Sequence, residues 1–311
     1  MRFIEELKTL KEQVKFDSKF EIYGNFENIV IAGMGGSGIV GSIFKELYTL
    51  KPVVLVDDYY IPDFVNEKTL FIAISYSGNT EETLTATDLA LEKKATVFTI
   101  TSGGNLKEKG AQTVTVPKGL QPRSSIGYML MPLLNTFMPQ SKKRIDNAHR
   151  MLDEMDQNNE HIKAQAYEIF EDRSIPVIYG HSPFKAVAYR WKTQFNENSK
   201  ILAYSNSFPE LNHNDTMPLR DTYRKDNFIF FTFSSTKDKI KNRINITADI
   251  TKTFFVTIDP IGGSIFEKLF YLIHYGDYLS YHLANYRGMM PEDVGIIEEL
   301  KLRMKTAKQS I

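Results

Sequence analysis

Short apolar runs alternate with helical patterns along most of this chain, and this alternation constrains the fold more than any other feature. The run NIVIAG (28–33) passes through MGGSG into the helical pattern IVGSIFKELYTL, and LFIAISYSG (70–78) leads into a helix that begins near Glu81. The alternation restarts with IPVIYG (175–180). Strands joined by helical crossovers form parallel sheets that helices cover on both faces. We therefore predict an α/β fold with two doubly wound parallel-sheet lobes and flanking helices.

The length of the chain fits two such lobes. Its 311 residues match two domains of ordinary size better than one small core. We predict an N-terminal domain over residues 1–150, which contains both candidate ligand loops, and a C-terminal domain over residues 151–311, which ends in a closing helix. A highly charged helix over residues 141–170 is predicted to bridge the two halves.

Composition excludes several classes of protein. The 38 basic residues balance the 38 acidic ones, which argues against a protein that coats nucleic acid or an anionic membrane. The chain has no cysteine, so disulfides, thiolate-bound zinc and cysteine nucleophiles are excluded. Membrane spans need roughly 20 apolar residues, and no segment approaches that length. We expect a soluble, cytoplasmic protein with no nucleic-acid or membrane partner.

Two loops follow strands at the edge of the predicted sheet where ligands bind. GGSG (35–38) lets the backbone approach an anion closely, because glycine has no side chain and tolerates unusual backbone angles. Ser75, Ser77 and Thr80 place three hydroxyl groups around one turn at a helix start. Since one hydroxyl suffices to cap a helix, the excess indicates a bound anion. In the alternative interpretation, Thr80 is a simple N-cap and the glycine loop is an ordinary turn.

The motifs in these loops resemble a known family. GMGGSG (33–38) followed by ISYSGNTEET (74–83) closely resembles the sugar isomerase (SIS) domain, a doubly wound fold that binds phosphosugars. The runs QPRSS (121–125), NENSK (196–200) and PELNHND (209–215) resemble the archaeal-type bifunctional phosphoglucose/phosphomannose isomerases, two-SIS-domain members of the phosphoglucose isomerase superfamily. The resemblance spans nearly the whole chain. It implies a homodimeric aldose-ketose isomerase for hexose 6-phosphates that uses neither a metal nor an organic cofactor.

The resemblance also implies roles for individual residues. One set, in the two loops, holds the phosphate of the sugar: Gly36, Ser37, Ser75, Ser77 and Thr80. Glu197 is the base that moves a proton between neighbouring carbons through a cis-enediol. His213 comes from the neighbouring subunit of the dimer and serves ring opening, for which a near-neutral pKa is suited. Arg123 stabilises negative charge on the enediolate, and Lys301 assists sugar binding and ring opening.

Each of these residues also has a plainer interpretation. Glu197 could be a solvated glutamate at a helix end, and Arg123 a helix-start arginine in a surface ion pair. Lys301, which has basic neighbours, could belong to an ordinary exposed helix face. Without the resemblance, the sequence does not favour Glu197 over Glu210 as the base.

We predict interconversion of glucose 6-phosphate and fructose 6-phosphate, with mannose 6-phosphate as a further candidate substrate. The bifunctional family carries a threonine shortly before the lysine, whereas GMMPEDVG (288–295) contains none, so activity on mannose 6-phosphate is left open. Two alternatives are a non-catalytic sugar-phosphate sensor and an isomerase for another phosphosugar. Such sensors usually append a DNA-binding helix-turn-helix to a single SIS domain, so two lobes and balanced charge favour the isomerase.

Overall fold

A computed structural model describes residues 2–308 of the chain and contains two parallel sheets with helices packed around them. The strands are β1 (Asn28–Ala32), β2 (Val53–Val56), β3 (Thr69–Ile74), β4 (Thr96–Thr101), β5 (Gln112–Thr115), β6 (Ile175–Gly180), β7 (Tyr204–Ser207), β8 (Phe228–Phe233) and β9 (Phe255–Ile258). The α-helices are α1 (Phe3–Lys8), α2 (Leu10–Gln13), α3 (Gly35–Leu47), α4 (Glu81–Glu92), α5 (Ile126–Phe137), α6 (Lys142–Gln157), α7 (Glu160–Glu171), α8 (Lys185–Glu197), α9 (Thr216–Asp221), α10 (Asp238–Thr251), α11 (Ile265–Tyr286) and α12 (Gly295–Lys308).

The two sheets share one strand order. The first runs β2-β1-β3-β4-β5 and the second runs β7-β6-β8-β9, with every neighbouring pair parallel. The predicted α/β fold with two parallel-sheet lobes is therefore confirmed. In this order the chain leaves its first strand to opposite sides, so a crevice opens between β1 and β3, and again between β6 and β8, at the carboxyl ends of the strands.

Two local predictions differ from the structure. The bridging helix predicted over residues 141–170 is two helices, α6 and α7, which are separated at Asn158 and Asn159. Asparagine has a low helix propensity, and the Asn159 side chain donates to the Met155 carbonyl oxygen at 3.1 Å. Strand β7 was not predicted, because its sequence YSNS is polar and half-exposed.

Helix α11 lies in the middle of the core and is buried along most of its length. Trp191 of α8 is fully buried, stacks on Tyr275 with ring centroids 5.5 Å apart, and donates its indole N–H to the Leu272 carbonyl oxygen at 2.8 Å. Gly276 makes this contact possible, since a Cβ there would lie 2.4 Å from the Trp191 ring. The close approach fixes the middle of α8, where Trp191 lies, against α11.

A buried polar cluster ties the N-terminal segment and α6 to α11. Asp156 Oδ1 accepts hydrogen bonds from His274 Nε2 at 2.8 Å and from the Tyr278 hydroxyl at 2.7 Å, and its Oδ2 lies 3.1 Å from Lys11 Nζ. Burial alone would raise the pKa of Asp156, but the hydrogen bond and charge of His274, with Tyr278 and Lys11, bring it below the ordinary carboxyl value. The carboxylate thus stays charged in the core and joins three segments of the chain.

His282 of α11 provides a test of this packing. Its Nε2 donates to Asn159 Oδ1 at 2.8 Å, and burial, with Lys163 nearby, lowers the pKa of His282 to about 4 from 6.5. Between those values the unfolded chain binds a proton that the folded chain does not, so the free energy of unfolding falls as pH falls through this window. We expect His282→Gln, which keeps a donor for Asn159, to flatten this slope in urea unfolding.

The exposed histidine His161 of α7 supplies the matched control for that measurement. His161→Gln should leave the pH dependence between 6.5 and about 4 as steep as in the parent protein. An unchanged slope in His282→Gln would contradict the assignment of this proton uptake to His282.

Candidate active site

The glycine loop after β1 forms the N-terminus of α3 at the crevice of the first sheet. Met34 occupies the N-cap position, where its side chain has no oxygen to accept from the first N–H groups, and the first turn contains no acidic residue. A Cβ added to Gly36 would lie 3.3 Å from the Pro122 carbonyl oxygen and 3.4 Å from Arg123 Cα. Glycine therefore allows the helix end, with its partial positive charge, to lie directly against Arg123.

The loop after β3 folds its hydroxyl groups together. Ser75 Oγ lies 2.9 Å from Thr80 Oγ1 and accepts the Gly78 N–H at 3.1 Å, and Ser77 Oγ accepts the Asn79 N–H at 3.3 Å. Thr80 does occupy the N-cap position of α4, but its hydroxyl pairs with Ser75 instead of capping the helix. The loop thus presents hydroxyl groups together with the N-terminus of α4, a combination suited to oxyanions.

Ser37 connects the two loops. Its hydroxyl accepts the Tyr76 N–H at 3.4 Å and contacts the sulfur of Met129 at 3.5 Å. The N-termini of α3 and α4 therefore point into one crevice, with hydroxyl groups from both loops. Two helix N-termini in one crevice provide the partial positive charge and the donors that a phosphate group requires.

Arg123 is buried beside this crevice, with only 4% of its side chain exposed. Its Nε donates to Asn198 Oδ1 at 2.8 Å and its Nη2 to the Pro291 carbonyl oxygen at 2.7 Å, while its Nη1 lies 3.3 Å from Glu197 Oε2. Burial lowers the pKa of Arg123, and the nearby charge of Glu197 opposes this effect. The interpretation of Arg123 as a surface ion-pair residue is therefore wrong.

A second, fully buried arginine supports Arg123 from behind. Arg190 Nη2 donates to the Arg123 carbonyl oxygen at 3.0 Å and to both carboxylate oxygens of Asp277, at 2.8 and 2.9 Å. Arg190 lies on α8 and Asp277 on α11, so this ion pair connects the core of the second lobe to the backbone that carries Arg123. Such a charge-assisted pair holds the backbone in place by its geometry.

Glu197 is the last residue of α8, and 31% of its side chain is exposed. It lines a cavity of about 620 Å³ together with Asn196, Lys200 and the segment 293–297 that begins α12. A carboxylate that faces a cavity and contacts a buried guanidinium can exchange a proton with a ligand while the cation stabilises negative charge on that ligand. Of the four predicted catalytic residues, the structure brings Glu197 and Arg123 together.

Sequence analysis missed Lys200 and the role of Asn198. Lys200 Nζ donates to the carbonyl oxygens of Asp293 at 2.7 Å and Pro291 at 3.2 Å, and also to that of Glu197. Burial, and secondarily Arg123, lowers the pKa of Lys200. Both residues stand in the NENSK motif, but nothing in that motif reveals that Lys200 anchors the distant segment 291–293 or that Asn198 binds Arg123 and Ser280.

His213 and Lys301 make no hydrogen bond or ion pair with Glu197 or Arg123 in the part of the chain that the structure describes. His213 ends a short 3₁₀-helix after β7, and Lys301 lies on α12. Both side chains are exposed. Their predicted roles therefore stay predictions.

Two kinds of feature are absent from the residues that the structure describes. Between residues 2 and 308, no three histidine, aspartate or glutamate side chains form a group that could hold a metal ion. Within the same range, no helix combines the length and the apolar character needed to cross a bilayer.

Two family models and two relatives that match this chain describe SIS domains or phosphosugar isomerases. The model of the bacterial phospho-glucose isomerase C-terminal SIS domain matches residues 137–304, and the SIS domain model matches residues 23–119. The bifunctional phosphoglucose/phosphomannose isomerase of Thermoplasma volcanium is 60% identical over 97% of this chain and 99% of its own length. The protein of the same name from Thermoplasma acidophilum is 58% identical over 98% of each chain.

A solved structure shares the fold. Glucosamine-6-phosphate deaminase from Thermotoga maritima matches with a TM-score of 0.72 over 94% of this chain and 97% of that chain, at 18% identity. At this identity the likeness shows the fold alone.

Gly78 tests whether the hydroxyl loop forms an anion site. A Cβ at Gly78, where φ is +70°, would lie 1.7 Å from the Gly103 carbonyl oxygen, so Gly78→Ala must displace the loop. We expect this variant to bind inorganic phosphate at least about tenfold more weakly in calorimetric titration, because the donors lose their common orientation. Gly119→Ala is the matched control, since Gly119 has a φ of +96° and open space around it. Equal phosphate affinity in the two variants would count against the site.

Proposed function

Because the chain belongs to the family of bifunctional phosphoglucose/phosphomannose isomerases, we propose that it interconverts glucose 6-phosphate, mannose 6-phosphate and fructose 6-phosphate at the crevice around Arg123 and Glu197. One observation carries the assignment of the site. Gly36 of the glycine loop packs against Arg123, and Arg123 contacts Glu197 at 3.3 Å. A sugar held by its phosphate would therefore meet the carboxylate and the guanidinium together.

The phosphate end of the substrate would be held by the two loops. The proposed ligands are the N–H groups and hydroxyls of the following set: Gly36, Ser37, Ser75, Ser77 and Thr80. Fixing the phosphate at two helix N-termini leaves the carbonyl end to project towards Glu197. Holding a reactant next to a catalytic group removes much of the entropic cost of their encounter.

The chemical step would be proton transfer between carbons 1 and 2. Glu197 takes the proton from carbon 2 of the open-chain aldose, which leaves a cis-enediolate with negative charge on the oxygen of carbon 1. A proton passes from the oxygen of carbon 2 to that of carbon 1 through the cis-enediol, and Glu197 returns its own proton to carbon 1 to give the ketose. Glucose 6-phosphate and mannose 6-phosphate differ only at carbon 2 and give the same enediol. Arg123 lies 3.3 Å from the base and would stabilise the negative oxygen of this intermediate.

Substrate range is the part of this proposal that the sequence left open. The relatives named above are bifunctional by name, and the family threonine has no counterpart in residues 288–295 of this chain. Val294 and the start of α12 line the same cavity as Glu197, so carbon 2 of the substrate would lie next to them. We propose that space in this cavity lets either epimer react.

Partner and compartment complete the proposal. We infer a homodimer in which His213, exposed in its own chain, reaches the crevice of the partner and serves ring opening, with Lys301 of α12 assisting. Exposed apolar side chains on α12, including Ile296 and Leu302, support burial of this helix in an interface. The cytoplasm is the proposed compartment, since a chain without cysteine suits a reducing environment.

A coupled assay tests the function directly. Purified protein with a chelator present should convert fructose 6-phosphate and mannose 6-phosphate, each offered alone, without added metal. Glu197→Gln should lower turnover by about 10³-fold while substrate affinity stays nearly unchanged, because only the proton-transferring group is lost. Glu210→Gln is the control for a neighbouring acidic residue. Near-normal turnover in Glu197→Gln would remove it from the role of base, and no conversion of either sugar would favour the sensor.

Mixed dimers test the location of His213. Glu197→Gln and His213→Ala should each be inactive alone. If His213 acts across the dimer, random mixing makes half of the dimers mixed, and each of these has one intact site in two, so about a quarter of the parent activity returns. Activity that stays at the level of the separate variants after unfolding and refolding together would place His213 within its own chain.

A further inference from the structure

Glu46 of α3 makes a contact that the proposed mechanism does not use. Its carboxylate reaches from the first lobe to the N-terminus of α8 in the second lobe, where Oε2 accepts the Lys185 N–H at 3.1 Å and Oε1 accepts the Ala186 N–H. Burial raises the pKa of Glu46, and these two N–H groups oppose the effect. The carboxylate therefore occupies the place of an anion at the N-terminus of α8.

The duplicated topology gives this place a meaning. Helix α3 follows β1, and α8 follows β6, the strand in the same position of the second sheet. The N-terminus of α3 is the proposed phosphate site, so the N-terminus of α8 is its counterpart in the second lobe. There Phe184 occupies the N-cap position and the first turn has no acidic residue, so the helix end relies on an acceptor from elsewhere.

Glu46 stands at an unfavourable position in its own helix. It is the penultimate residue of α3, where the helix dipole places partial negative charge, and it is partly buried. The N-terminus of α8, where that helix's dipole places partial positive charge, compensates for this position. The pairing thus costs stability within α3 and recovers it between the lobes.

The two helices together form a pair that is tied at both ends. At one end Glu46 binds the start of α8, and at the other end Gly36 packs on Arg123, which contacts Glu197 at the finish of α8. Each helix has 13 residues, a length of about 20 Å. The glycine loop and Glu197 are therefore connected through two helices, α3 and α8, and the carboxylate of Glu46.

We propose that Glu46 is a positioning residue, which fixes Glu197 relative to the phosphate-binding loop by holding the far end of α8 against α3. The inference rests on the proposed isomerase function. Without the carboxylate, the first turn of α8 is no longer tied to α3, so α8 can tilt about its contact with α11 and move Glu197, while the glycine loop after β1 is left intact. Small misplacements of a catalytic group lower turnover strongly, so loss of Glu46 would act on turnover more than on substrate binding.

Steady-state kinetics of Glu46→Gln test the proposal. The amide offers one acceptor and one donor to two N–H groups, so α8 loses half of its anchor. We expect kcat to fall about tenfold or more and KM to change by less than about twofold. Glu92→Gln is the matched control, an exposed glutamate at the end of α4. Unchanged kcat in Glu46→Gln, or a loss carried mainly by KM, would overturn the proposal.

Anion rescue separates positioning from general damage to the fold. Glu46→Ala leaves space for a small carboxylate at the N-terminus of α8, so acetate should raise its kcat several-fold while leaving the parent protein and Glu46→Gln unaffected. Thermal unfolding of each variant shows whether the fold is intact, and absence of rescue in a folded Glu46→Ala protein would refute the assignment. If the parent protein itself fails to isomerise hexose 6-phosphates, the proposed function falls instead.

Discussion

The buried guanidinium of Arg123 is the interaction on which the rest of the site depends. It binds the end of α8 through Asn198, the segment before α12 through Pro291, and the carboxylate of Glu197, while Gly36 packs against its backbone. A buried charge that loses its partners costs about 3–5 kcal/mol, so these segments are held together by the need to satisfy one cation. Segments of both lobes therefore contact this one side chain.

A planar, permanently charged group suits this position. The guanidinium holds its N–H groups in fixed directions. Asn198, Pro291 and Glu197 are therefore each contacted by a different nitrogen of the same plane, Nε, Nη2 and Nη1 respectively. A lysine could supply the charge but not these fixed directions. Lys200 fills a complementary role beside it, because its ammonium group gathers three carbonyl oxygens and so fixes the segment that leads into α12.

Much of this arrangement could be predicted from the sequence. The alternation of apolar runs and helical patterns predicted both parallel sheets, because covered strands and their glycine or hydroxyl loops leave a strong local pattern. Strand β7 left none, since its residues are polar and its pairing with β6 is decided by the tertiary fold. The break between α6 and α7 is likewise local, but two asparagines in a charged segment are a weak signal.

The site residues likewise separate into those that a local sequence pattern suggested and those that depend on tertiary packing. An excess of hydroxyl groups made Ser75, Ser77 and Thr80 candidates for the site, and the family motif made Glu197 and Arg123 candidates. In the structure the last two lie 3.3 Å apart. Lys200, Arg190 and Asp277 could not be found in this way, because their partners lie up to about ninety residues away in the chain and follow no spacing rule. Long-range pairs of this kind become visible only when helices are packed.

The filled N-terminus of α8 has a consequence for stoichiometry. Two lobes with the same strand order offer two crevices of the kind that binds phosphate, yet in the second lobe the first N–H groups of the helix already donate to Glu46. A sugar phosphate would have to displace a carboxylate that is covalently part of the chain. Under the proposed function, the duplicated fold provides one substrate position per polypeptide, and its second half supports the proposed base, Glu197.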